Sequence, residues 1–135
     1  MAGALARLQK GHAFLVCGRD GMDEVSLSGP TLVREVTDGD VTAFEWTPDD
    51  FGLPSCRCED LRARDPAESA DVIRSVLSAK PGPALDVVLA NAAAALLVAG
   101  QASTLLEGVA QAGEAVASGK AARVLADLVD CSREE

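Results

Sequence analysis

The sequence predicts an α/β fold: a partial mixed sheet that includes a β-hairpin, packed by C-terminal helices. Three observations carry this. A short, continuous apolar run at residues 13–17 follows a helical segment and reads as a strand shielded on both faces, as in parallel sheets covered by helices. Two segments rich in β-branched residues, 31–36 and 41–47, flank Asp38-Gly39-Asp40, whose Asp-Gly pair favours a tight hairpin turn. From Asp65 onward, helix-start signals and apolar residues at helical spacing recur to the end of the chain.

In order, residues 2–10 hold helix formers with Leu5 and Leu8 three apart, and Gly11 stops them. Gly18 and Gly21 break the apolar strand that follows. Pro48 ends the hairpin, and residues 49–54 have the Asp, Gly and Pro of a loop or a single helical turn. Asp65-Pro66-Ala67-Glu68 is an acidic capping box opening a helix over residues 66–79, with Ala70, Ile73, Val76 and Leu77 on its core face. Residues 83–99 are apolar nearly all round and predict a central buried helix whose alanines permit close backbone approach. Thr104-Leu105-Leu106-Glu107 opens another helix, which buries Leu105, Val109, Ala112 and Val116 and ends near Gly119. A last helix at residues 120–129 is expected to bury Val124, Leu125 and Leu128. The 135 residues suit a single domain. With one Trp, three Phe and no Tyr, the core is expected to be aliphatic and alanine-rich.

A net charge of −9 repels phosphate backbones, and no basic cluster is interleaved with aromatics, so nucleic acid is excluded as a partner. A phosphorylated metabolite is not, since a local basic group or a bridging Mg²⁺ suffices for it. Cys17, Cys56, Cys58 and Cys131 fit neither metal knuckles nor the framework of a small secreted domain and read as reduced thiols. No leader or membrane-spanning stretch is visible, which points to a cytoplasmic protein.

Candidate chemistry concentrates in residues 18–24, Gly-Arg-Asp-Gly-Met-Asp-Glu, which follow the first strand. Ligand sites in α/β folds lie at the carboxyl ends of strands. Asp23 and Glu24 place two hard oxygen donors side by side, suited to Mg²⁺ when phosphate and water complete its shell, and Asp20 is a supporting acceptor. Read without further context, the same acids also fit a solvated loop. Asn91, in an otherwise apolar helix, bonds a substrate, a neighbouring loop or the core around it. Asp86 reads as a first-turn acid, and His12 has no nucleophile to serve. No Walker or dinucleotide phosphate loop is present, and no catalytic side chain is assigned.

Four blocks in order carry a family resemblance: Asp20-Gly21-Met22-Asp23-Glu24-Val25-Ser26, then Gly29-Pro30-Thr31, then Pro48-Asp49-Asp50-Phe51-Gly52-Leu53, then Asn91-Ala92-Ala93-Ala94-Ala95-Leu96. Together they resemble the anthranilate phosphoribosyltransferases, over about residues 5–128, and Ser118-Gly119-Lys120-Ala121 agrees. The resemblance implies the C-terminal part of that family's large α/β domain, similar to the nucleoside phosphorylase and phosphoribosyltransferase C-terminal fold. It also implies transfer of a phosphoribosyl group from phosphoribosyl pyrophosphate to anthranilate in tryptophan biosynthesis. It assigns Mg²⁺ on the diphosphate to Asp23 and Glu24. The family's Gly-Thr-Gly-Gly-Asp loop, its Lys-His-Gly-Asn-Arg segment and its N-terminal helical domain are not among these 135 residues. Cys17 stands where a histidine is common, Ala63-Arg64-Asp65 where Gly-Gly-Asp is usual, and Ser69 where an Asn is common. Three expectations follow: an enzyme incomplete as this chain, a subunit completed by an N-terminal partner chain or a second copy, or a non-catalytic remnant or interaction module.

Overall fold

The computed structural model describes residues 1–8 and 11–133. Helix α1 (Ala2–Leu8) precedes strands β1 (His12–Gly18), β2 (Thr31–Thr37) and β3 (Asp40–Trp46). Two short 3-10 turns, Pro48–Phe51 and Cys58–Leu61, lead to α2 (Pro66–Leu77), α3 (Pro83–Val98), α4 (Leu105–Ala117) and α5 (Lys120–Cys131). The expected extension of the first helix to Lys10, and the Glu134–Glu135 end of the charged tail, lie outside the described residues.

The strands form one sheet in the order β1-β2-β3, antiparallel at both joins, with Gly18 opposite Thr31 and Thr31 opposite Trp46. The hairpin forms where the Asp-Gly pair places it: Asp38 and Gly39 both take positive φ, 51° and 93°, in a two-residue turn whose twist matches the strands. The expectation of a parallel first strand is corrected. A continuous apolar run does not say which way the neighbour runs, nor that both faces are covered: residues 13–16 are half-buried here and Cys17 is exposed. Here residues 19–30 return as an irregular loop rather than the helical crossover that parallel pairing needs. Phe14, Val16, Val33, Phe44 and Trp46 share one face and pack into the main core. Val36, on the other face, is 1% exposed, and α1 runs along β2 and β3.

The core is aliphatic and alanine-rich as expected, and its arrangement adds a feature. Ala90, Ala93 and Ala94 of α3 line it, and the few aromatics are gathered in one place. Trp46 meets Phe14, Phe44 and Phe51 edge-on, with ring centroids 5.0, 5.7 and 5.7 Å apart, an arrangement that satisfies the ring quadrupoles. One aromatic knot thus joins the two outer strands, β1 and β3, to the turn that follows the sheet.

Among the helices, α2 starts as its capping residues dictate, Asp65 Oδ1 accepting the Glu68 N–H at 2.8 Å with Pro66 in the first turn. Asp65→Ala removes that acceptor and is expected to cost about 1 kcal/mol in urea denaturation; an unchanged midpoint would show α2 to be held by packing alone. At α4, Thr104 Oγ1 accepts from the Glu107 N–H at 3.1 Å, while the Glu107 carboxylate reaches back to the Ser103 N–H at 2.8 Å. Helix α3 is central as expected, burying Val87, Leu89, Ala90, Ala93 and Ala94.

Two burial expectations fail. Ile73 of α2 is 49% exposed, and α5, expected to bury Val124, Leu125 and Leu128, leaves them 67%, 38% and 63% exposed. Helix α5 is strongly amphipathic, but it rests on α4 near Ala121, and its apolar stripe has no described element over it. Amphipathicity shows that a helix has a face to bury, and says nothing of whether the cover lies in the same segment. Among the described residues no helix is long and apolar enough to cross a membrane.

Candidate functional site

Loop 19–30, between β1 and β2, carries the acids, and its path follows from a few fixed points. Gly18 N–H donates to the Met22 carbonyl at 2.8 Å and Arg19 N–H to the Pro30 carbonyl at 2.9 Å, closing the loop at its base. A side chain at Gly18 would collide with Asp20 Oδ1 at 2.2 Å and Ser26 Cβ at 3.0 Å, so only glycine lets the loop fold back this tightly. Val25, Ser26 and Leu27 then pass through the interior, each 0% exposed.

Asp20 faces into the loop. Its Oδ2 accepts from Ser26 Oγ at 2.6 Å, from Ser28 Oγ and from Cys58 Sγ at 3.1 Å, while Oδ1 accepts the Met22 N–H at 3.1 Å. Burial pushes this carboxyl up, but the hydrogen bonds from Ser26, Ser28, Met22 and Cys58 outweigh it and hold Asp20 well below the usual carboxylate range. A depressed folded-state value contributes stability above the ordinary carboxylate range and loses it only as pH falls through the depressed value, so the clamp is intact at neutral pH. The sequence offers Asp20 as a supporting acceptor for a metal site, a role distinct from the bonds it makes within the loop and to Cys58. It does not reveal that Ser28 and Cys58 converge on it, because Cys58 lies 38 positions away in sequence.

On the other side, Asn91 of α3 grips Val25. Its Oδ1 accepts the Val25 N–H at 3.0 Å, and its Nδ2 donates to the Val25 carbonyl at 3.2 Å and the Val87 carbonyl at 3.0 Å. Of the readings open from sequence, the contacts seen are with the neighbouring loop and the helix's own core. Asp86 sits in the first turn of α3, its carboxyl raised by burial. His12 Nε2 lies 2.6 Å from Glu35 Oε1 across the β1–β2 pair, at the opposite end of β1 from the loop that carries the acids. The four cysteines are free; Cys56 donates its backbone N–H to Leu27, and burial, reinforced by nearby acids, raises its thiol.

Asp23 and Glu24 lie between the two grips. Asp23 is exposed and Glu24 half-buried, and burial, with the Asp23 charge added, raises the Glu24 carboxyl. No hydrogen bond or ion pair engages either side chain among the described residues, and the nearby Arg19 is occupied by Glu45. Adjacent, uncompensated carboxylates repel, and a cation relieves that repulsion. No group of three or more His, Cys, Asp or Glu is placed to hold a metal among the described residues. The pair therefore does not form a closed cage, but it fits Mg²⁺, which takes one or two carboxylates and leaves the rest of its shell to phosphate and water.

Fold and loop together define an α/β domain with a clamped acidic turn beyond its first strand. The chain belongs to the glycosyl transferase family, a/b domain, whose family model matches residues 1–122. It is 45% identical over 130 residues to the anthranilate phosphoribosyltransferase of Chromobacterium violaceum, covering 96% of this chain and 38% of that protein. Among solved structures, the Thermus thermophilus anthranilate phosphoribosyltransferase superposes with a TM-score of 0.84 at 38% identity, over 96% of this chain and 38% of that one. The Saccharomyces cerevisiae enzyme in complex with PRPP and Mg superposes with a TM-score of 0.80 at 30% identity, over 88% of this chain and 34% of that one. The resemblance read from four sequence blocks is borne out, as is the α/β fold class. The chain spans about 38% of the length of the curated relatives it matches.

Proposed function

We propose that this chain is the C-terminal portion of an anthranilate phosphoribosyltransferase domain, folding as one unit, with Asp23 and Glu24 holding the Mg²⁺ that accompanies phosphoribosyl pyrophosphate. The observation that carries the assignment of the acids is their placement: Asp20, Met22, Val25 and Ser26 on either side of them are tied by hydrogen bonds, while the side chains of these two adjacent acids have no hydrogen-bond or ion-pair partner among the described residues. A bound Mg²⁺ would screen the negative charge that gathers on departing pyrophosphate. This chain's own residues hold and orient: the acids fix the cation's position at the loop, and Asp20 and Asn91 keep the loop in place. Attack by the amino group of anthranilate calls on residues beyond those seen here. The four free thiols suit the cytoplasmic setting expected of such an enzyme. A second reading, an interaction module completed by a partner chain or another copy, is favoured by the bare apolar stripe of α5.

The test is an NMR titration with Mn²⁺ as the probe ion, with and without phosphoribosyl pyrophosphate. Amides of residues 22–25 are expected to broaden first, and the selectivity to vanish in the Asp23→Asn, Glu24→Gln double variant. Broadening spread evenly over the acidic surface, or unchanged in the double variant, overturns the assignment.

A further inference from the structure

Residues 22–25 have an uncommon construction. Met22 is fixed by its N–H on Asp20 and its carbonyl under Gly18 N–H. Val25 is fixed by both its backbone groups on Asn91. The two residues between them are the two acids. Asn91 treats Val25 as a neighbouring strand would, exchanging one donor and one acceptor with the same residue, and it anchors its own amide on the Val87 carbonyl one turn back. Three of its hydrogen-bonding positions are thereby used on backbone, leaving it little capacity to reach a ligand. Ala94, a small buried residue one turn further along α3, lines the same cleft as Val25 and Asn91 and leaves room for the loop there.

We propose that Asn91 is a positioning residue for Asp23 and Glu24: by holding the Val25 peptide groups it sets the direction in which the two carboxylates leave the loop, without touching the cation itself. The inference rests on the metal role proposed above for those acids. An amide serving only its own helix would stop at the Val87 carbonyl. This one spends two of its three bonds on the residue next to Glu24, 66 positions away in sequence. Groups that orient metal ligands from behind typically change metal affinity by about 10–100-fold when removed.

Asn91→Ala tests this, because alanine continues the sequence of α3 and favours the helix. Two readouts are taken: Mn²⁺ affinity from broadening of the loop amides, and hydrogen exchange at Val25 compared with Ala93 in the core. Val116→Ala, which loosens the far side of α3 and α4, is the control for lost stability. The expected result is about a tenfold loss of Mn²⁺ affinity, with Val25 exchange accelerated far more than Ala93, and neither effect in Val116→Ala. Unchanged affinity in Asn91→Ala, or an equal loss in Val116→Ala, overturns the positioning role while leaving the acids as ligands. Absence of Mn²⁺ binding by the wild-type chain overturns the metal role itself, and the positioning role with it.

Discussion

Phe51→Ala is expected to lower the free energy of unfolding by about 4 kcal/mol. Phe51 is 1% exposed and ends the turn that leaves β3; its ring stands edge-on to Trp46 at 5.7 Å and belongs to the same core cluster as Leu105 of α4. It is therefore the aromatic that passes the sheet's packing on to the helical layer. Truncation removes the ring's buried area and leaves a cavity that Trp46, already fixed by Phe14 and Phe44, has little freedom to fill. Small domains have only about 5–15 kcal/mol in total, so the variant would lose a large fraction of its stability. Urea denaturation followed by Trp46 fluorescence measures it. A loss below about 1 kcal/mol would mean that the aromatic knot relaxes freely, and that sheet and helices are joined elsewhere.

Phe51 also illustrates what was legible beforehand. As part of Pro48-Asp49-Asp50-Phe51-Gly52-Leu53 it helped identify the family, and the turn it ends was visible from Pro and Asp. That it completes an aromatic cluster was not, since the contributors are spread from Phe14 to Phe51 and meet only once the strands pair. Features written in consecutive residues were readable: the Asp38-Gly39 turn, the Asp65-Pro66 cap, the Asp23-Glu24 pair. Features that depend on what lies opposite were not. The apolar run of β1 could not disclose an antiparallel neighbour, and the stripe on α5 could not disclose that no described element covers it. The candidate site divides in the same way. Its acids were identifiable because they are adjacent, whereas the two grips that hold them pair Asp20 with Cys58 and Val25 with Asn91, contacts that no local pattern encodes.

The alanines of α3 imply a close neighbour, and the structure identifies it as Gly108 of α4. A Cβ at Gly108 would stand 2.8 Å from the Ala93 Cα, 2.9 Å from its Cβ and 3.0 Å from its carbonyl oxygen. Two opposing effects then decide the outcome of Gly108→Ala. Replacing glycine within a helix gains about 1 kcal/mol from propensity. Against it, overpacking costs about 1–3 kcal/mol, and the upper end applies because the obstructing atoms are mostly backbone and no side-chain rotation can clear them. We expect a net loss of about 2 kcal/mol by urea denaturation. Gly113 supplies the contrast within the same helix, since a Cβ there meets nothing within 4 Å, and Gly113→Ala is expected to add up to about 1 kcal/mol. The opposite signs separate packing from propensity. If both variants gained stability, α4 would have to move away from α3 at little cost, and the close crossing at Ala93 would not be what holds the two helices together.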